Sequence, residues 1–289
     1  MTVSLAPDEP HGSPIPILDE VRAYPYKAIR GPGATQKGAV AMTVTKPTIV
    51  LVHGAWADAS SWTKVIQRLQ AAGHEVVAIP NTLRGVAADA AVVRAYLDTI
   101  DGPVVLVAHS YGGFVITNAA TGAANVKALV YVDAFMPDEG QPAAALAGAD
   151  SVLLPALTNP TSTFKVVPIP GAPANVVDTY LLPEVVAASF ANDLSSEDAA
   201  VIFATQRPAS IAAVAEPSGP PAWKDIPAWA IIGKKDRIIT PAAQRSMAEH
   251  AGVQVTEVDA SHVSMISHPE VVVEVIEKAL GAVRELQPA

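Results

Sequence analysis

An α/β fold is predicted for this chain: a mostly parallel, doubly wound sheet interrupted by an inserted helical cap. Three observations predict it. Short apolar, β-branched runs alternate with amphipathic helical segments from residue 48 to residue 132. The same alternation resumes at residue 228, after a proline- and alanine-rich stretch. Hydrophobic residues make up 50% of the chain and charged residues 16%, against ~25% in an average domain, which supplies material for a deep core. A length of 289 residues suits one large domain with an insertion.

The elements follow in order. Residues 1–45 hold Pro7, Pro10, Pro14, Pro16, Pro25 and Pro32 without helical or strand periodicity, and read as an irregular arm in front of a folding unit for which Met42 is a candidate start. T-I-V-L-V-H (48–53) is the apolar run a buried parallel strand needs. Trp62, Val65, Ile66 and Leu69 recur at three- and four-residue spacing and predict a helix over 61–72, stopped by Gly73. A strand over 75–79, a helix over 87–100, a strand over 103–109, a helix over 111–122 and a strand over 126–132 complete a β-α-β-α-β-α-β series. Residues 137–225 break the pattern, with helices expected around 183–191 and 196–206 and too much length for a structureless loop. Strand 228–232, helix 241–250, strand 253–258 and helix 270–285, with Val272, Val275, Ile276, Ala279 and Val283 on one face, close the sheet. The expected division is therefore an arm (1–45), a core (46–136 and 226–289) and a helical cap (137–225).

Charge and composition exclude several functions. With 19 Lys+Arg against 28 Asp+Glu, the net charge of −9 repels phosphate backbones and anionic lipid surfaces, so neither nucleic acid nor membrane is an expected partner. The absence of cysteine removes disulfides, thiolate catalysis and cysteine-ligated metals. The uncharged run from 102 to 126 is long enough to span a bilayer, but Pro103, His109, Ser110, Gly112, Gly113, Asn118 and Gly122 make it strand, turn and helix. No basic stretch followed by an apolar run opens the chain, so the expected location is cytoplasmic.

The sharpest motif is A-H-S-Y-G-G (108–113), between a buried strand and a helix. A serine in such a tight turn presents its Oγ above the sheet edge and needs small neighbours, a requirement Ala108 meets in place of the first glycine of G-x-S-x-G. Ser110 is thus the candidate nucleophile, and the N–H of Tyr111, at the helix N-terminus, can face a developing oxyanion. A serine is too weak an acid to act without a base, and the base needs an orienting carboxylate. His262, in the loop between strand 253–258 and the last helix, opens on the same edge. His11, His74, His250 and His268 lie in the arm, at a strand start or beside helices, while His53 and His109 share the edge but His109 points away from Ser110. Asp236, after strand 228–232, gives the chain order Ser, Asp, His; Asp133, after strand 126–132, is its rival. In V-H-G-A-W (52–56), Gly54 permits close approach, so the N–H of Ala55 is the second oxyanion donor.

These residues resemble the α/β-hydrolase fold. Within it, H-G-A-W, A-H-S-Y-G-G, A-F-M-P-D (134–138) and S-H-V-S-M-I-S-H-P (261–269) are similar to the plant methyl-ester esterases and hydroxynitrile lyases and their bacterial esterase relatives, over about 48–138 and 226–285. The lyases of that family carry Thr where this chain has Gly54 and Lys where it has Val263, so the resemblance implies the esterase branch. The expected function is a serine hydrolase acting through an acyl-enzyme, with no metal or cofactor, as a monomer or homodimer; the apolar side chains of the cap, without a cluster of Arg or Lys, point to a small to medium, largely apolar ester. The cap would supply the walls, with Trp56, Phe135, Met136, Tyr180, Phe190 and Phe203 as candidate substrate-binding residues. Lyase chemistry, cofactor-free perhydrolase or oxygenase chemistry, and a triad-bearing ligand receptor are the alternatives.

Overall fold

In a computed structural model, residues 46–285 are described; the arm expected over 1–45 lies outside the described residues. Strand β1 (Thr48–Val52), entirely buried, leads through a 3₁₀ turn to α1 (Thr63–Ala71). β2 (Glu75–Ile79), α2 (Val86–Leu97), β3 (Val104–His109), α3 (Gly112–Ala119) and β4 (Val126–Val132) follow, within a residue or two of expectation except where the last turns of α2 and α3 stop three residues early. The apolar runs of β1, β3 and β4 are buried on both faces, as parallel strands under helices must be, with Lys127 near the start of β4 the exposed exception.

Residues after β4 leave the sheet. They form α4 (Ala143–Leu146), β5 (Phe164–Pro168), β6 (Val177–Leu181), the single turn α5 (Pro183–Val185), which runs on as a π-helical turn over Val186–Phe190, then α6 (Ser196–Thr205), β7 (Ala209–Ser210) and α7 (Ile211–Ala215). The insertion is therefore not purely helical: β5, β6 and β7 build a three-stranded antiparallel sheet. Phe164 pairs with Leu181 and Val166 with Thr179, a register that buries alternate residues of β6. The chain then returns as β8 (Ala228–Gly233), α8 (Pro241–Ala251), β9 (Gln254–Val258), the short α9 (Ser264–Ser267) and α10 (Pro269–Glu285). Among the described residues the main sheet has six parallel strands in the order β2-β1-β3-β4-β8-β9.

The sheet order puts β3 in the middle and brings the loops after β1, β3, β4, β8 and β9 to one edge. Among the described residues, four non-glycine residues with positive φ sit beyond that edge, one after each of the first four strands: Trp56 (55°), Leu83 (58°), Ser110 (53°) and Asp133 (46°). Left-handed backbone at such residues costs on the order of 1–3 kcal/mol each and persists only where the surroundings enforce it.

Two glycines let the loops pack this tightly. A Cβ on Gly54 would lie 2.5 Å from Ser110 Cβ and 2.9 Å from the His109 carbonyl oxygen, and one on Gly113 would collide with the Phe135 carbonyl oxygen. Gly113→Ala is accordingly expected to cost about 3 kcal/mol or more in urea unfolding. Gly281→Ala, on an open stretch of α10 with nothing within 4 Å, is expected to raise stability by about 0.5–1 kcal/mol. Equal unfolding midpoints for the two variants would contradict the packing described.

Candidate active site

The turn from β3 into α3 places Ser110 above the middle of the sheet, 2% exposed, its amide donating to the Val132 carbonyl at 3.3 Å. The Ser110 hydroxyl donates to His262 Nε2 at 2.8 Å, and His262 Nδ1–H donates to Asp236 Oδ2 at 2.7 Å. All three side chains, from the loops after β3, β8 and β9, are buried.

Asp236 is held by more than the histidine. Its Oδ1 accepts the amides of Ile238 (2.8 Å) and Ile239 (3.0 Å), and its Oδ2 accepts the side-chain amide of Gln244 (2.7 Å). Burial raises the Asp236 carboxyl, opposed by these bonds from Ile238, Ile239 and Gln244. Four N–H donors on two oxygens leave the carboxylate as the form the pocket is built for. Burial alone pushes His262 down to about 3, so the ring rests neutral, its Nε2 lone pair free to accept.

Asp133, the rival carboxylate, does not reach the His262 ring. It accepts the amides of Gly233 (2.8 Å) and Ser264 (2.9 Å), clamping the end of β8 to the residue two beyond His262. Burial and the neighbouring Asp236 push it up to about 8. His109 does point away from Ser110, but toward the other partner: its Nε2–H donates to the His262 carbonyl at 2.8 Å, with the two rings 4.8 Å apart. Burial, then the adjacent His262, lowers it well below the imidazole range, leaving a neutral ring that packs against the base. His53 Nδ1–H donates to the Gly54 carbonyl (2.9 Å), and its Nε2 accepts the Asn81 amide (2.9 Å).

Ala55 and Tyr111 flank Ser110, and neither backbone N–H has a hydrogen-bond partner among the described residues. Unpaired buried amides are rare, and two of them beside one serine form a site for a negative oxygen. Beside them opens a cavity with an empty volume of about 660 Å³, mouth included. Its walls are apolar, drawn from the core (Trp56, Phe135) and from the insertion (Leu153, Leu154, Phe164, Val214). Trp56 Nε1–H is turned outward to the Thr179 carbonyl (3.1 Å), and the indole stacks on Phe164 at 5.1 Å.

Of the six expected substrate-binding residues, Trp56 and Phe135 line this cavity and four do not. Met136 is buried beside it, its amide directed at Met247 Sδ. Tyr180 lies on the face of β6 opposite Thr179 and Leu181, as strand alternation requires. Phe190 packs edge-on against the His262 and His109 rings and so backs the base, and Phe203 is 39% exposed on α6. Gln244 had no sequence signal, being a helical glutamine among polar neighbours; Phe164 and Leu153–Leu154 could be read as apolar residues of the insertion, but their side-by-side placement could not.

Residues 49–275 match the alpha/beta hydrolase family. The chain is 37% identical over 111 residues to a carbendazim hydrolyzing esterase of Nocardioides sp., covering 34% of this chain and 46% of that protein. It is 38% identical over 110 residues to methylesterase 7 of Arabidopsis thaliana, covering 33% and 42%. Each alignment thus spans less than half the length of the curated relative it matches. The crystal structure of polyneuridine aldehyde esterase superposes on 81% of this chain and 99% of its own with a TM-score of 0.64 at 21% identity, a likeness of fold. With the match running from the first strand into the last helix, over a parallel sheet that carries a serine turn at its centre, the chain belongs to the alpha/beta hydrolase family.

Proposed function

We propose that the protein is a serine-dependent carboxylic ester hydrolase acting on small to medium, largely apolar esters. The observation that carries this reading is the pair of bonds joining Ser110, His262 and Asp236 next to two unpartnered amides at one end of an apolar cavity. In this mechanism Ser110 Oγ attacks the ester carbonyl carbon while His262 Nε2 takes its proton, and Asp236 stabilises the imidazolium. The amides of Ala55 and Tyr111 hold the tetrahedral oxyanion. His262 returns the proton to the leaving alcohol, and water repeats the cycle on the acyl-enzyme to release the acid. Esterase names among the relatives support the bond type, and cavity walls that carry no Lys or Arg among the described residues support an apolar substrate rather than an anionic one.

A fluorophosphonate probe followed by peptide mapping, together with a p-nitrophenyl ester panel, tests this. The expected result is a label on Ser110 alone and faster turnover of butyrate and hexanoate esters than of a succinate half-ester. A label elsewhere, or preference for the charged ester, would sink it.

The pH profile of kcat/KM follows from the buried base. His262 must be neutral to accept the proton, so activity is present above its folded-state pKa and lost as the pH falls through it. Burial holds that value near 3, and the facing His109, itself lowered by burial, adds no positive charge. The acid limb of kcat/KM is therefore expected well below the ordinary imidazole value of about 6.5. A limb centred at or above that value would contradict the environment described.

A further inference from the structure

We propose that Asp89 is a positioning residue that acts through Tyr111 on the oxyanion-binding amide and on the apolar floor of the cavity. The proposal rests on the reading of Ser110 as nucleophile. Asp89 belongs to α2, is 1% exposed and is not among the residues lining the cavity. Its Oδ2 accepts the Tyr111 hydroxyl at 2.8 Å. The same carboxylate accepts the Arg84 amide (3.1 and 3.2 Å), the Gly85 amide (3.4 Å) and the Thr82 hydroxyl. A buried acceptor met by four donor groups has one favoured orientation, and it fixes those donors in turn. Burial and the adjacent Asp89 raise the proton affinity of the Tyr111 phenol, so the hydroxyl stays a donor.

Two consequences follow for the site. The bond to Asp89 engages the Tyr111 hydroxyl, the polar end of a residue that lines an otherwise apolar cavity. Its backbone, which carries one oxyanion donor, is anchored from the side chain as well as through its neighbour Ser110, whose amide donates to the Val132 carbonyl at 3.3 Å. The loop braced by Asp89 also reaches the segment that carries the other donor: the Asn81 amide donates to His53 Nε2 at 2.9 Å, and Asn81 Nδ2 to the His53 carbonyl at 3.1 Å, one residue before Gly54. Leu83, at φ 58°, holds that loop in place by accepting the Ser210 amide at 3.0 Å. One buried carboxylate thus braces both halves of the oxyanion site from a helix outside it.

The test compares Asp89→Asn, Tyr111→Phe and the double variant by kcat and KM on p-nitrophenyl butyrate. A second readout is the affinity for an aliphatic trifluoromethyl ketone relative to the methyl ketone of the same chain, since only the fluorinated compound forms an adduct whose oxyanion needs both amides. Asp89→Asn is expected to lower kcat by about 10- to 100-fold with KM within about 3-fold, and to reduce the ketone ratio by a similar factor. Tyr111→Phe should show a smaller loss of the same kind, and the double variant should be no worse than Asp89→Asn, because both act through one bond. The proposal is overturned if a folded Asp89→Asn keeps kcat and the ketone ratio while only its Tm falls, if the loss lies in KM alone, or if the single losses multiply in the double variant. Should Asp89→Asn fail to fold, Tyr111→Phe, which removes a single oxygen, decides by the same readouts. An unaltered chain that forms no ketone adduct and takes no fluorophosphonate label overturns the nucleophile reading and the positioning role with it. A labelled chain with unaffected variants overturns the positioning role alone.

Discussion

Ser110→Ala is expected to lower kcat by about 10⁶-fold on p-nitrophenyl butyrate, with the unfolding midpoint nearly unchanged. The size of the loss follows from how the site is arranged. His262 and Asp236 are spent on one proton, so without Ser110 Oγ they have nothing to activate, and the Ala55 and Tyr111 amides retain only the small advantage of holding a carbonyl for attack by water. Stability should hold because the alanine loses one hydroxyl that faces the cavity and His262, while the left-handed backbone at residue 110 stays braced by the Val132 carbonyl. Purified variant protein titrated with a fluorophosphonate sets the background from contaminating enzyme. A residual rate within about 100-fold of the unaltered chain would mean that another group attacks the ester.

Asp236→Asn is expected to lower kcat by about 10⁴-fold. The asparagine either turns its NH₂ toward His262 Nδ1, which then holds the ring in the wrong tautomer, or turns it toward the amides of Ile238 and Ile239, which then meet a donor. Asp133→Asn is the informative contrast. Among the described residues Asp133 accepts the amides of Gly233 and Ser264, so its replacement sets a donor against a donor between the end of β8 and the base loop. Its cost should appear mainly in the unfolding free energy, with kcat falling by no more than about 30-fold. A larger kcat loss at residue 133 than at residue 236 would exchange the roles assigned to the two carboxylates.

Much of this was readable in the sequence for local reasons. β1, β3 and, after the exposed Lys127, β4 are apolar runs that fit nothing but a covered parallel sheet, and the small residues around Ser110 are forced by a turn in which Gly113 lies against the Phe135 carbonyl. Once the strands were placed, the loops of Asp236 and His262 had to open on the edge where Ser110 stands. What escaped depends on contacts between distant segments. β5 and β6 are two short alternating runs, but Pro168 and the Pro- and Gly-containing connection after it disguise a hairpin as coil. The orientation of His109 was readable and its meaning was not, because the carbonyl it meets belongs to a residue 153 positions away. Trp56 and Phe135 line the cavity as expected, whereas Phe190 and Phe203 have the right chemistry on turns of the insertion that face the base and the solvent instead.

The four left-handed residues beyond the sheet edge have an evolutionary corollary. Glycine at position 56 or 133 would relax the backbone but would delete the indole that walls the cavity or the carboxylate that clamps the base loop. Each loss outweighs the roughly 1–3 kcal/mol of strain that glycine would relieve, since both side chains are buried and bonded, so heat tolerance and turnover favour the same residues at positions 56 and 133.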